Sequence, residues 1–224
     1  SPDKAPLLDT VRPLCPDIPS DVLQDFFARM DQEYFRRFEP PTIATHVRLT
    51  AQLTPSHPCT IAFTEQQDKR VEVTIVAYDY FSEFATICGL LSAFGLNIEE
   101  GHIYTFAEKT APQSARASWT GYGPRVRTAG SPGLTRKKIV DVFRVLPIPG
   151  AELGDLQQKH LADALHAVIT LLDKGQFTEA RFAVNRRLVE QLGKRRGSFS
   201  GLLHPVQITF DNSQSPTDTV MDIR

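Results

Sequence analysis

The chain is short of the residues that most chemistries need. Its 224 residues hold three cysteines, one tryptophan and two methionines. Cys15, Cys59 and Cys88 are odd in number and far apart. They make neither a disulfide framework nor a metal-ligand spacing, and they suit a reducing, cytoplasmic setting. Charge of one sign is also missing: 25 Lys and Arg face 26 Asp and Glu, a formal net charge of -1. Such a balance gives no global attraction to nucleic acid or to an anionic membrane. No apolar run approaches the ~20 residues of a membrane helix, and none reads as a signal peptide. There is no Gly-x-Ser-x-Gly elbow, no His-Glu-x-x-His helix and no phosphate loop, since Gly121-Tyr122-Gly123-Pro124 lacks a following Gly-Lys-Ser/Thr. The carboxylates Asp79, Glu83, Glu99, Glu100 and Asp141 show no acid–base pairing by spacing. No catalytic residue, metal or cofactor is therefore expected.

What is present is alternation. Val71, Val73, Ile75 and Ala77 alternate with more polar neighbours, the period of a strand with one buried face. After Asp79-Tyr80-Phe81-Ser82 the period changes: Phe84, Ile87, Cys88, Leu91 and Phe94 mark one face of a helix, and Gly95 stands where a left-handed cap is wanted. Leu96-Asn97-Ile98 leads into a second strand ending near Ile103 to Phe106, and Lys138 to Val145 reads as a third. A second helix would carry Leu156, His160, Ala164, Ala167, Val168 and Leu171 on or near one face. A strand at Val206 to Phe210 would close the set. The order predicts an α+β, ferredoxin-like βαββαβ sheet with both helices on one side. Another helix is expected from Phe177 through Ala180, Arg181, Val184 and Leu188 to Leu192.

Flanking segments are read from composition. Ser1 to Pro19 is proline-rich and aperiodic, so an arm or linker is expected. Ser20 would cap a helix with Val22, Leu23, Phe26, Phe27 and Met30 on its apolar side, and Pro41 or Thr42 would start another reaching Leu53. Ile61-Ala62-Phe63 offers an edge strand. Residues 107–138 form a basic, glycine- and proline-rich interruption. A solvated insertion is the favoured reading, ahead of a docking surface using Trp119 and Tyr122. His46 is expected to pack, His102 to lie in the sheet or at its edge, Cys88 to fill core and Asp141 to face a turn or an edge.

At Val73-Thr74-Ile75-Val76-Ala77-Tyr78-Asp79, at Leu90-Leu91-Ser92-Ala93-Phe94-Gly95-Leu96-Asn97-Ile98 and at Val140-Asp141-Val142-Phe143-Arg144-Val145 the chain resembles the ACT domain. The likeness is to the ACT domains near the C-terminus of PII uridylyltransferase-type proteins. Tyr34 to Leu49 resembles the helical connector that precedes the first of them. The resemblance implies a regulatory module in nitrogen or amino-acid sensing, with nucleotidyltransferase and hydrolase domains upstream in the parent protein. It implies an amino-acid ligand, plausibly glutamine, held by Asp79, Phe81, Ser82, Glu83, Phe84, Asn97 and Ile98, with Asn97 near the same end of the fold as the turn. It also implies the boundaries: a helical connector over 1–60, the ACT-like domain over 61–211, and the start of a truncated second domain over 212–224. A homodimer is expected, because the sheet leaves an open edge. Where the family has Asp-Arg-Pro-Gly-Leu, this chain has Asp79-Tyr80-Phe81-Ser82-Glu83. The lost glycine narrows the turn, and Glu83 would repel a ligand carboxylate, so weak or absent binding is predicted. Two other readings stand beside it: a ligand-free module of the same fold that only dimerises or packs, and a nucleic-acid binder using the basic insertion, which the near-neutral charge disfavours.

Overall fold

The computed structural model describes residues 4–80, 83–107 and 137–195, with two further strands at 208–211 and 220–223. The chain divides into two compact units, Ser1–Gln191 and Leu192–Arg224. No described helix is long and apolar enough to cross a membrane.

The first unit is an α+β structure around one four-stranded antiparallel sheet. Its strands are β1 (Cys59–Glu65), β2 (Val71–Tyr78), β3 (Leu96–Thr105) and β4 (Lys138–Pro147), in spatial order β1-β2-β4-β3. Ile75 of β2 lies opposite Ile61 of β1 and Asp141 of β4. Between β2 and β3 runs α5 (Glu83–Ala93), which ends on Gly95 at φ +73, as its sequence predicts. After β4 come α6 (Asp155–Asp173) and α7 (Phe177–Arg195).

The closing strand expected from Val206 to Phe210 is not in this sheet. Ile208–Asp211 (β5) instead pairs antiparallel with Val220–Ile223 (β6) in a separate two-stranded sheet of the second unit. The position beside β2 is taken by β1, from the opposite direction along the chain. Both segments are short alternating runs, and the few residues between β1 and β2 make that pairing the local one.

Both sheet faces are covered, which corrects the one-sided reading of the alternation. Val71, Val73, Ile75, Ala77, Ile139, Phe143 and Val145 face a core shared with α5, α6 and α7. Val76, Val140, Val142 and Tyr104 face a second core built by the N-terminal helices α1 (Lys4–Val11), α2 (Ser20–Arg29), α3 (Gln32–Arg37) and α4 (Pro40–Ala51). The N-terminal stretch is thus a layer of the domain. The supposed arm begins with a helix, buries Val11 and Cys15, and sends Lys4 Nζ to donate to the carbonyls of Phe27 and Met30 at 3.0 and 2.6 Å. Those carbonyls end α2, where a cation suits the helix dipole. Ser20 does not cap α2: its hydroxyl accepts from Arg12 at 2.9 Å, and Asp31 caps α3 by accepting from the Tyr34 amide at 2.8 Å.

On α6 the buried stripe is Leu161, Ala164, Leu165, Val168, Ile169 and Leu172, with Leu156, His160 and Ala167 outside. The expected face shares only Ala164 and Val168 with it. The helix is turned so that its bulkier aliphatic side chains meet the sheet, which buries more apolar area.

Candidate functional site

The turn after β2 is held from three directions. The Asp79 amide donates to the Lys137 carbonyl at 2.9 Å, extending the β2–β4 ladder. The Tyr80 hydroxyl donates to Asp173 at the end of α6, at 3.0 Å. The Tyr80 amide donates to Glu83 Oε2 at 3.2 Å while the Glu83 amide donates to the Tyr80 carbonyl at 3.3 Å, a reciprocal cap of the helix start. Phe84 is half-buried and stacks on Phe143 with ring centroids 6.2 Å apart. Phe81 and Ser82 lie outside the described residues.

Glu83 is not where the sequence reading put it. Its side chain folds under the turn and is only 4 % exposed. Burial, opposed by the Tyr80 N–H and reinforced by Asp141 and Asp79, pushes its carboxyl up to about 9. At neutral pH it carries a proton and presents no negative charge to the helix N-terminus. The repulsion expected against a ligand carboxylate is therefore absent.

Asp141 also departs from expectation. It sits in β4, an interior strand between β2 and β3, and is 1 % exposed. Its register with Ile139 and Phe143 turns it onto the α5 side of the sheet. Burial, then Asp79, pushes its carboxyl up to about 8. Neither Asp141 oxygen has a hydrogen-bond partner among the described residues, and neither does Glu83 Oε1. Leaving such groups unpaired costs roughly 1–3 kcal/mol each. Cys59 and Cys88, each pushed up to about 12 by burial and then by Glu83 and Asp141 respectively, border the same region as neutral thiols. The result is a pair of buried protonated carboxyls beneath an exposed carboxylate, Asp79. The signal for Asp141 was legible: a lone carboxylate inside Ile139-Val140-Asp141-Val142-Phe143 stands in register with core residues.

The remaining expected site residues are elsewhere. Asn97 is exposed and Ile98 half-buried at the start of β3. Asn97 lies opposite Leu146, whereas Tyr78 lies opposite Lys138. The two ends of β4 are roughly 25 Å apart at about 3.3 Å per residue. Within one chain, Asn97 does not approach the turn, contrary to the expected placement. The cause is α5, which carries the chain back along the sheet before β3 begins.

At the Asn97 end an ion-pair network crosses the other face. Glu100 receives Arg144 Nη2 at 2.5 Å and Arg37 Nη2 at 3.4 Å, and His102 Nε2 lies 2.6 Å away, while Arg70 Nε donates to Glu99 at 2.7 Å. His102 is half-buried on β3, the strand at the edge of the sheet. His46 packs, as expected: it is 1 % exposed, with Nδ1 2.7 Å from the Tyr34 hydroxyl and Nε2 3.4 Å from Thr74 Oγ1. Burial takes it down to about 4, so it stays neutral. Among the described residues no cluster of three or more His, Cys, Asp or Glu could hold a metal ion. No family model matches the chain, and no curated protein matches it.

Proposed function

We propose that this chain is a regulatory domain of the ACT type, built on a ferredoxin-like split β-α-β core, whose turn from Asp79 to Phe84 receives the ammonium and carboxylate of a small amino acid such as glutamine. The observation that carries this reading is the turn itself: an exposed carboxylate beside a helix N-terminus whose nearest acid, Glu83, is withdrawn and protonated. Asp79 supplies charge for an ammonium, and the α5 amides that follow Glu83, whose own N–H already serves the Tyr80 carbonyl, supply donors for a carboxylate. The order β1-β2-β4-β3 supports the core, with β1 standing in for the strand that would follow α6. In this reading the chain serves a PII uridylyltransferase-like nucleotidyltransferase whose catalytic domains lie upstream, and it acts without chemistry of its own.

A second reading is favoured by the separation of Asn97 and Ile98 from the turn. In it the fold retains only a dimerising or packing role. Calorimetric titration with glutamine and the other amino acids separates the two. Saturable millimolar binding that Asp79→Ala abolishes supports the sensor. Absence of heat from every amino acid, with self-association by light scattering, supports the packing module.

A further inference from the structure

The groove between α5 and α7 begins at Ala85, just past the turn, and shares no residue with the site proposed above. It is open to solvent along one side and offers about 390 Å³, within the roughly 300–1,000 Å³ of small-molecule sites. Ala85, Thr86 and Gly89 of α5 line one side of it. The helices close tightly there, since a Cβ on Gly89 would stand 2.9 Å from Val184 Cγ1. Leu172, Phe177 and Leu188 supply apolar walls. The polar groups come from α7, where Arg181 and Asn185 lie one helical turn apart and so share a face.

Charge decides what would enter. None of the residues lining this groove is a carboxylate, and no described carboxylate pairs with Arg181. The ion-paired cleft around Arg37 and Arg144 differs on this point, because Glu39, Glu72 and Glu100 line it and Glu100 already occupies both guanidiniums. A guanidinium with five donors at the edge of an apolar groove matches a planar carboxylate, and the Asn185 amide can add one more donor. The walls match a short hydrocarbon or aryl tail.

We propose that the α5–α7 groove is a binding site for a small amphipathic carboxylate, with the acid group on Arg181 and the apolar tail along Phe177 and Leu188. The same chemistry occurs in a free acid and in a peptide ending in an apolar residue.

Thermal unfolding and calorimetry on the full chain test it. Phenylacetate, 4-methylpentanoate and octanoate are compared with the corresponding alcohols, and a tripeptide ending in leucine with its C-terminal amide. The expected result is that acids raise the melting temperature at millimolar concentration while alcohols and the amide do not. Arg181→Gln should weaken binding about tenfold or more, as loss of one charge-assisted pair implies. Arg181 is exposed, so this variant should keep the parent's unliganded melting temperature. Asn185→Asp should weaken binding by placing a like charge beside the acid. The tighter of free acid and tripeptide names the source. No shift with any acid or peptide overturns the site, as does equal binding of acid and alcohol or full retention by Arg181→Gln.

Discussion

The two faces of the sheet bury titratable groups in opposite ways. On the N-terminal face, His46 is matched by Tyr34 at one ring nitrogen and lies within reach of Thr74 at the other. On the α5 face, among the described residues, Glu83 keeps one oxygen paired and Asp141 neither. A satisfied buried group fixes how two layers dock, while an unsatisfied one costs stability and marks a place shaped by something besides packing. The contrast reaches into pH. Glu83 and Asp141 have folded-state values raised from 4.5 to about 9 and from 3.8 to about 8. Their contribution is full below about pH 4 and is lost as pH rises through about 8–9. His46 is lowered from 6.5 to about 4. Its contribution is full above 6.5 and is lost as pH falls toward 4.

The contrast can be broken most severely at the strand that both faces share. Ile75→Asp would set a new carboxylate directly opposite Asp141, at a position 1 % exposed. The expected loss exceeds about 4 kcal/mol, a large share of the roughly 5–15 kcal/mol that holds a typical domain folded, and chemical denaturation would read it. An unchanged melting temperature would show that this face is not a core.

His46→Ala should cost about 2–3 kcal/mol, by leaving the Tyr34 hydroxyl buried without its partner and opening space beside it. Denaturation at pH 7 and pH 5 should also lose the acid-side decline in this variant. A decline that persists would assign it to other groups.

Asp141→Val acts on the α5 face of the sheet. It replaces an unpartnered carboxyl with a side chain suited to a central strand, and should stabilise by about 1–3 kcal/mol at pH 8 and by less at pH 5. Urea midpoints at the two pH values measure it. Equal effects at both would mean that folded Asp141 is already ionised at pH 5, as the unfolded chain is, and that its carboxyl is not pushed up.

The smallest effect is expected at the rim. Arg37→Ala removes an ion pair whose partners are 42 % and 35 % exposed. A change below about 1 kcal/mol that shrinks with added salt is expected in thermal scans.

The period of each stretch carried its own identity. Alternation from Val71 to Ala77, helical spacing from Phe84 to Phe94 and the cap at Gly95 correspond to β2, α5 and a residue at positive φ, because these signals arise within a few residues along the chain. Asp79 was legible as an exposed acid before a helix for the same reason. What is settled across the chain was not legible. Which segment flanks β2 is not marked in either of two short runs of similar character; β1, only a few residues before β2, takes the place, and β5 pairs with β6 instead. Whether Glu83 repels a ligand or hides beneath the turn depends on Asp141 and the apolar floor around it, more than fifty positions away. Whether proline-rich residues 4–19 are an arm or a layer depends on the sheet face that Val76, Val140 and Val142 leave to be covered. Local sequence sets backbone conformation through sterics and hydrogen bonding between neighbours. Partner choice, burial and protonation are set by whichever surfaces exclude water together, and only the assembled sheet with its two helical layers determines that.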